Sequence, residues 1–184
     1  MTKLGKIAHV ILGALHADPG SGYDVKALVD RSTRYFWAAS YGQIYPELRR
    51  LEEAGLIVGE DAATGGRART VYRLTPAGEE ELRSYLLSPD ASCELRDEGL
   101  LKLFFADALD DPAAVLDKVR AVRANHAEQL RQLEGIAATV AKVTPSRSLV
   151  LEYGLGLHRW ALAWCDDAER RLSGGADTTD ERTR

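Results

Sequence analysis

Cysteine, long apolar runs and net positive charge are all scarce in this chain of 184 residues. Its two cysteines, Cys93 and Cys165, lie far apart in no disulfide or metal-ligand spacing, which favours a protein of the reducing cytoplasm. No stretch reaches the ~18 apolar residues that a membrane-spanning helix needs. We therefore expect a cytoplasmic protein with no membrane partner, and these absences argue against a disulfide-stabilised secreted module.

The charge balance is close to neutral where a nucleic-acid-binding protein would be basic. The net charge is −4, and residues 1–88 hold eleven basic and eleven acidic residues. A DNA-binding face must therefore come from clustering of charge and not from its sum. The sequence also has no nucleophile–base arrangement, phosphate-binding loop or pair of catalytic carboxylates, so we expect neither an enzyme nor a cofactor.

An apolar content of 45% is ample for a folded core. In residues 1–88, apolar spacing and turn residues predict three helices, a β-hairpin and a fourth helix. The first helix is expected at 7–17, the second ends near 33 and the third begins at 40. The two strands are expected at 56–60 and 70–74, and the last helix runs from Thr75-Pro76 to about 87. Residues 61–69 are expected to form a flexible, arginine-bearing tip of the hairpin. This order is typical of a winged helix-turn-helix domain, which places its third helix in the DNA major groove.

The third predicted helix has an unusual exposed face. Its apolar stripe is Ile44, Leu48 and Leu51, and Ser40 with Gln43 predicts a capping box at its start. Gly42 and Pro46 lie opposite the stripe, where solvated faces usually carry Lys, Glu and Ala. The bare backbone there favours close approach by another molecule.

Within this arrangement, we expect the first turn of the helix to read base edges and the arginines to contact the DNA backbone. Ser40, Tyr41 and Gln43 lie in that turn, and glutamine suits adenine. The residues suited to phosphates, or from the wing to a narrow minor groove, are Arg49, Arg67 and Arg69. The alternatives are a solvated helix arginine at 49 and a plain solvated turn at 67 and 69. For Tyr45, the residue pattern favours packing against the wing or a neighbouring helix.

Residues 89–173 predict a second, helical region with helices at 97–109, from 112 and from 145, and residues 174–184 predict a disordered tail. The last helix is apolar on almost all sides, so it must be enclosed, and a second subunit would enclose it. Four aromatic residues are candidates for either interface core or an effector pocket: Phe104, Phe105, Trp160 and Trp164. His126 and His158 have no further ligand at metal spacing, so we expect no metal site.

Three ordered blocks of sequence resemble the PadR-like transcriptional regulators of bacteria. They are ILGALHADPGSGYDV (11–25), FWAASYGQIYPELRRLEEAGLI (36–57) and RTVYRLTPAGEEELRSYL (69–86). The second half is similar, in pattern and length, to the longer subfamily, whose helical C-terminal region dimerises.

The resemblance implies a homodimer that binds an inverted-repeat operator in double-stranded DNA, represses nearby genes and is released by a small molecule. The four aromatic candidates favour a small aromatic or drug-like effector. The resemblance assigns the recognition-helix role to Ser40, Tyr41, Gln43 and Tyr45, and the wing role to Arg67 and Arg69. The alternative is a winged-helix protein-interaction module without specific DNA binding, which the neutral charge of residues 1–88 favours.

Overall fold

A computed structural model describes residues 4–64, 67–93, 96–140 and 144–174, with the side chains of 63, 64, 67, 68 and 138–140 excepted. The chain divides into two compact units, Met1–Ser92 and Cys93–Arg184. No helix in the described ranges is long and apolar enough to cross a membrane.

The first unit has the predicted winged helix-turn-helix architecture. Its elements in chain order are α1 (Lys6–Ala17), α2 (Gly22–Arg31), a 3-10 helix (Thr33–Tyr35), α3 (Tyr41–Glu53), β1 (Ile57–Thr64), β2 (Arg67–Leu74) and α4 (Pro76–Leu87). Thr75 caps α4 by accepting a hydrogen bond from the Gly78 N–H, as the Thr-Pro start predicts. Gly55, with φ of +69°, follows α3 in the left-handed conformation that ends a helix.

The hairpin is longer than the sequence predicts. β1 and β2 pair antiparallel from Ile57↔Leu74 to Thr64↔Arg67, so the expected loop from 61 to 69 is mostly strand. Ala and Asp have weak strand propensity, but cross-strand hydrogen bonding satisfies their backbone groups and outweighs it. Arg69 therefore lies within β2, opposite Ala62, and not at a flexible tip.

Apolar faces of the helices and the start of β1 form the core of the first unit. The α3 stripe is fully buried and packs with residues of α1, α2, β1 and α4: Ile11, Leu12, Leu15, Val25, Val29, Ile57 and Leu82. This packing fixes α3 and leaves its opposite face in solvent.

The second unit consists of α5 (Glu98–Phe104), a 3-10 helix (Ala106–Leu109), α6 (Pro112–Val140) and α7 (Pro145–Gly174). The single helix expected at 97–109 is thus broken at Phe105. The expected disordered tail lies, beyond Gly174, outside the described residues. The two long helices run antiparallel, with Gly154 admitting the Leu133 side chain and Arg123 donating to Asp166 at 2.6 Å.

A small core lies between the helices of this unit, formed by Val119, Val122 and Cys165. Many apolar residues of α7 remain exposed in the single chain: Leu149, Val150, Tyr153, Leu157, Trp160 and Trp164. The packing within one chain therefore does not enclose α7.

Candidate nucleic-acid interface

The N-terminus of α3 is held by the predicted capping box, which is confirmed. The side-chain oxygen of Gln43 accepts hydrogen bonds from the Ser40 N–H at 3.0 Å and from the Ser40 hydroxyl at 3.1 Å. Both residues are exposed. A bidentate adenine contact uses the amide oxygen and nitrogen together, so Gln43 must release Ser40 to make one.

Two tyrosines extend this surface along α3. The rings of Tyr41 and Tyr45 stack with centroids 6.1 Å apart, and both side chains are nearly half exposed. The Lys26 ammonium lies 5.4 Å from the centroid of Tyr41. Tyr45 also lies against α2, because a Cβ on Gly22 would be only 2.7 Å from its Cε1 atom. Tyr45 therefore packs against a neighbouring helix while presenting part of its ring to solvent.

The outer face of α3 keeps the character expected from the sequence. Pro46 lies inside the helix and donates no hydrogen bond to the carbonyl of Gly42. Arg49 is exposed beside it, whereas Arg50 donates to Glu47 at 3.3 Å. A phosphate could thus approach both backbone and guanidinium on this face.

Arg69 is paired with an acid that sequence reasoning did not single out. Its Nη2 donates to Oδ2 of Asp24 in α2. Burial would raise the pKa of the Asp24 carboxyl, but hydrogen bonds from Ser21 and Arg69 outweigh burial, and the pKa lies below its ordinary value. The other wing candidate, Arg67, has its side chain outside the described part of the chain, so its role stays a prediction.

The four effector candidates lie in the second unit, largely in solvent. Phe104 and Phe105 pack edge to face with centroids 5.0 Å apart, and Phe104 is 78% exposed. Trp160 is 65% exposed, and Trp164 is 37% exposed on the next turn of α7. Within one chain, the two phenylalanines and the two tryptophans are therefore exposed and not enclosed in a pocket.

A histidine pair in the second unit was not expected from the sequence, because its members are 32 residues apart. Nδ1 of His126 and Nδ1 of His158 are 2.8 Å apart, and Nε2 of His126 lies 3.9 Å from Oδ2 of Asp97. Burial and the neighbouring His126 lower the pKa of His158. Among the described residues, no group of three or more His, Cys, Asp and Glu is placed to hold a metal ion.

Comparison with known families places a different match on each unit. Residues 11–84 match the Transcriptional regulator PadR-like family, and residues 95–173 match the Virulence activator alpha C-term family. The chain is 33% identical to the negative transcriptional regulator PadR of Bacillus subtilis, over 56% of this chain and only 58% of that protein. It is 26% identical to a probable transcriptional regulator of Mycobacterium tuberculosis, over 90% of this chain and 97% of that one.

Solved structures share the fold over most of the chain. The structure of Bacillus subtilis PadR in complex with operator DNA is similar with a TM-score of 0.80 and 26% identity, covering 90% of this chain and 98% of that one. The structure of the same protein in complex with p-coumaric acid is 24% identical with a TM-score of 0.72, covering 93% of this chain and 99% of that one. At 24% identity, this similarity shows that the two chains share a fold and nothing more.

Proposed function

We infer that the chain is a DNA-binding regulator of transcription, because its residues 11–84 match the PadR-like family of transcriptional regulators and its first unit has a winged helix-turn-helix fold. One observation carries the inference. Gly22 lies against Tyr45 of α3, and Asp24, two residues on, holds Arg69 of β2. The proposed recognition helix and wing therefore meet at the N-terminus of α2, the arrangement that lets one domain contact base edges and backbone together.

We further propose a cytoplasmic homodimer that represses transcription from an inverted-repeat operator and is released by a small aromatic or drug-like effector. The exposed apolar residues of α7 support a dimer, because a second chain would cover them. Repression is supported by the similarity to a negative transcriptional regulator. An aromatic effector is supported by the exposed side chains of Phe104, Phe105, Trp160 and Trp164.

Footprinting of the purified chain on the region upstream of its own gene tests this function. We expect two protected half-sites related by a two-fold axis, with protection that weakens steeply as salt is raised. Arg69→Ala should weaken binding to all sequences alike and lower the salt slope by about one.

A second candidate, a winged-helix protein-interaction module, is favoured by the neutral charge of residues 1–88 and by the pairing of Arg69 with Asp24. It predicts no footprint at any salt concentration. A footprint without two-fold symmetry would support DNA binding but contradict the inverted repeat.

A further inference from the structure

One carboxylate oxygen of Asp24 joins two elements of the first unit. Its Oδ2 accepts hydrogen bonds from the Ser21 N–H at 2.7 Å and from the Ser21 hydroxyl at 2.8 Å, and it also pairs with Nη2 of Arg69. An aspartate at this position of a helix ordinarily serves the capping box alone. Here the same atom also holds a strand residue that is 45 positions further along the chain.

The neighbouring turn is built to admit this contact. A Cβ on Gly20 would lie 2.9 Å from Cβ of Asp24 and 3.2 Å from its Oδ2. Gly20 also exchanges backbone hydrogen bonds with Tyr72 of β2, at 3.1 and 2.9 Å. Strand β2 is therefore attached to the start of α2 at two points, by backbone at Tyr72 and by side chain at Arg69.

The ion pair leaves the guanidinium able to bind a second anion. A guanidinium has five N–H donors, and the contact with Asp24 is made through Nη2. The Arg69 side chain is 49% exposed, so a phosphate can reach its other donors. A side chain already held in one orientation loses less conformational entropy on binding than a mobile one.

We propose that Asp24 is a positioning residue for DNA binding, which holds Arg69 of the wing in the orientation that contacts a phosphate. This rests on the proposed function. The proposal and simple electrostatics predict opposite effects of Asp24 on DNA affinity. Repulsion between a carboxylate and the phosphates would weaken binding, whereas an aspartate that positions Arg69 strengthens it.

Asp24→Asn and Asp30→Asn form a matched pair of variants. Each removes one negative charge from α2, and Asp30 pairs with Lys26 of the same helix and not with the wing. The probe is the duplex that the wild-type chain selects from a random pool, with affinity measured by fluorescence anisotropy. We expect Asp30→Asn to bind as tightly as wild type or tighter, and Asp24→Asn to bind about twofold to fivefold more weakly. In an Arg69→Ala background, Asp24→Asn should cause no further loss.

Loss of the helix cap is separated from loss of positioning by Ser21→Ala, which removes the cap hydroxyl and keeps the Asp24 carboxylate, and by thermal melting of each variant. Glutamate keeps a carboxylate within reach of Arg69, so Asp24→Glu should bind within about twofold of wild type. A loss in Ser21→Ala equal to that in Asp24→Asn would assign the effect to the cap and overturn the proposal. Tighter binding by Asp24→Asn, or an equal loss with and without Arg69, would overturn it too.

The outcomes also distinguish failure of the role proposed for Asp24 from failure of the proposed DNA-binding function. If the wild-type chain selects no duplex, the proposed function fails and the inference fails with it. If the wild type binds its duplex and Arg69→Ala binds equally well, DNA binding stands and the role of Asp24 is refuted.

Discussion

At the scale of single residues, Gln43 has two roles that compete for one amide group. Its oxygen closes the capping box on Ser40, and the same group is the proposed reader of adenine. Gln43→Ala should remove both, relaxing base preference at one position per half-site at a cost of ~1–3 kcal/mol there. Binding to a set of duplexes with single base substitutions measures this loss.

Gln43→Glu is the control that separates the two roles. A glutamate closes a capping box as well as glutamine does, but it offers no N–H to adenine and repels phosphate. We expect Gln43→Glu to melt at the wild-type temperature and to lose DNA affinity. Unchanged base preference in both variants would remove Gln43 from the set of base-reading residues.

Replacement of two glycines of the first unit by alanine should have opposite effects on the free energy of unfolding. A Cβ on Gly78 would lie 2.0 Å from the backbone carbonyl oxygen of Leu56, whereas nothing lies within 4 Å of one on Gly13 in α1. Gly78→Ala should therefore destabilise the chain by about 1–3 kcal/mol or more, and Gly13→Ala should stabilise it by about 0.5–1 kcal/mol. Urea unfolding measures both, and equal midpoints for the two variants would contradict the tight contact at Leu56.

At the scale of elements, the structural features that the sequence predicts correctly are those determined by residues close together in the chain. The caps at Ser40 and Thr75 depend on residues a few positions away, and both are confirmed. The extension of the hairpin depends on a partner strand, so the local propensity of 61–69 gave the wrong answer.

Two contacts that the sequence did not reveal join distant positions. Asp24 with Arg69 and His126 with His158 each depend on how helices and strands pack, and no local pattern marks them. The residues proposed to read bases were chosen from the sequence because they lie in one helical turn, and their role stays a prediction. The electrostatic partner of the wing arginine could not be chosen in this way, because it lies on another element.

The histidine pair predicts that the second unit loses stability in acid. The pKa of His158 in the folded chain lies below the ordinary 6.5, because burial and His126 disfavour its charged form. The unfolded chain therefore binds the proton more readily, so this contribution is present above about pH 6.5 and is lost as pH falls through the lowered folded pKa. Denaturant unfolding from pH 8 to pH 5 measures this loss.

His158→Gln should flatten that pH dependence, because it removes the group whose pKa is shifted. His16→Gln is the control, since His16 is exposed in the first unit and bonded to Glu79 at 3.0 Å. A wild-type chain equally stable at both ends of the pH range, or a His158→Gln chain with the full acid loss, would show that the pair does not govern stability.

At the scale of the whole molecule, the two units share one requirement. Helix α7 exposes a stripe of large apolar residues at spacings of about one turn: Leu149, Tyr153, Leu157, Trp160 and Trp164. An inverted repeat has two half-sites, so binding to it needs two copies of α3. The two copies must lie about 34–36 Å apart, or at a multiple of that distance. A dimer made through α7 would satisfy both, because it covers the stripe and supplies the second recognition helix.

Trp160→Glu tests that link, because a carboxylate in the middle of an apolar interface pays its desolvation cost without a partner. We expect the variant to sediment as a monomer and to lose affinity for a two-half-site duplex far more than for a single half-site. Ser146→Glu adds the same charge at an exposed position of the same helix and should stay dimeric with wild-type affinity. If Trp160→Glu remains a dimer in sedimentation, the subunits meet elsewhere. If it becomes a monomer and still binds the paired site at full affinity, recognition does not need two copies of α3.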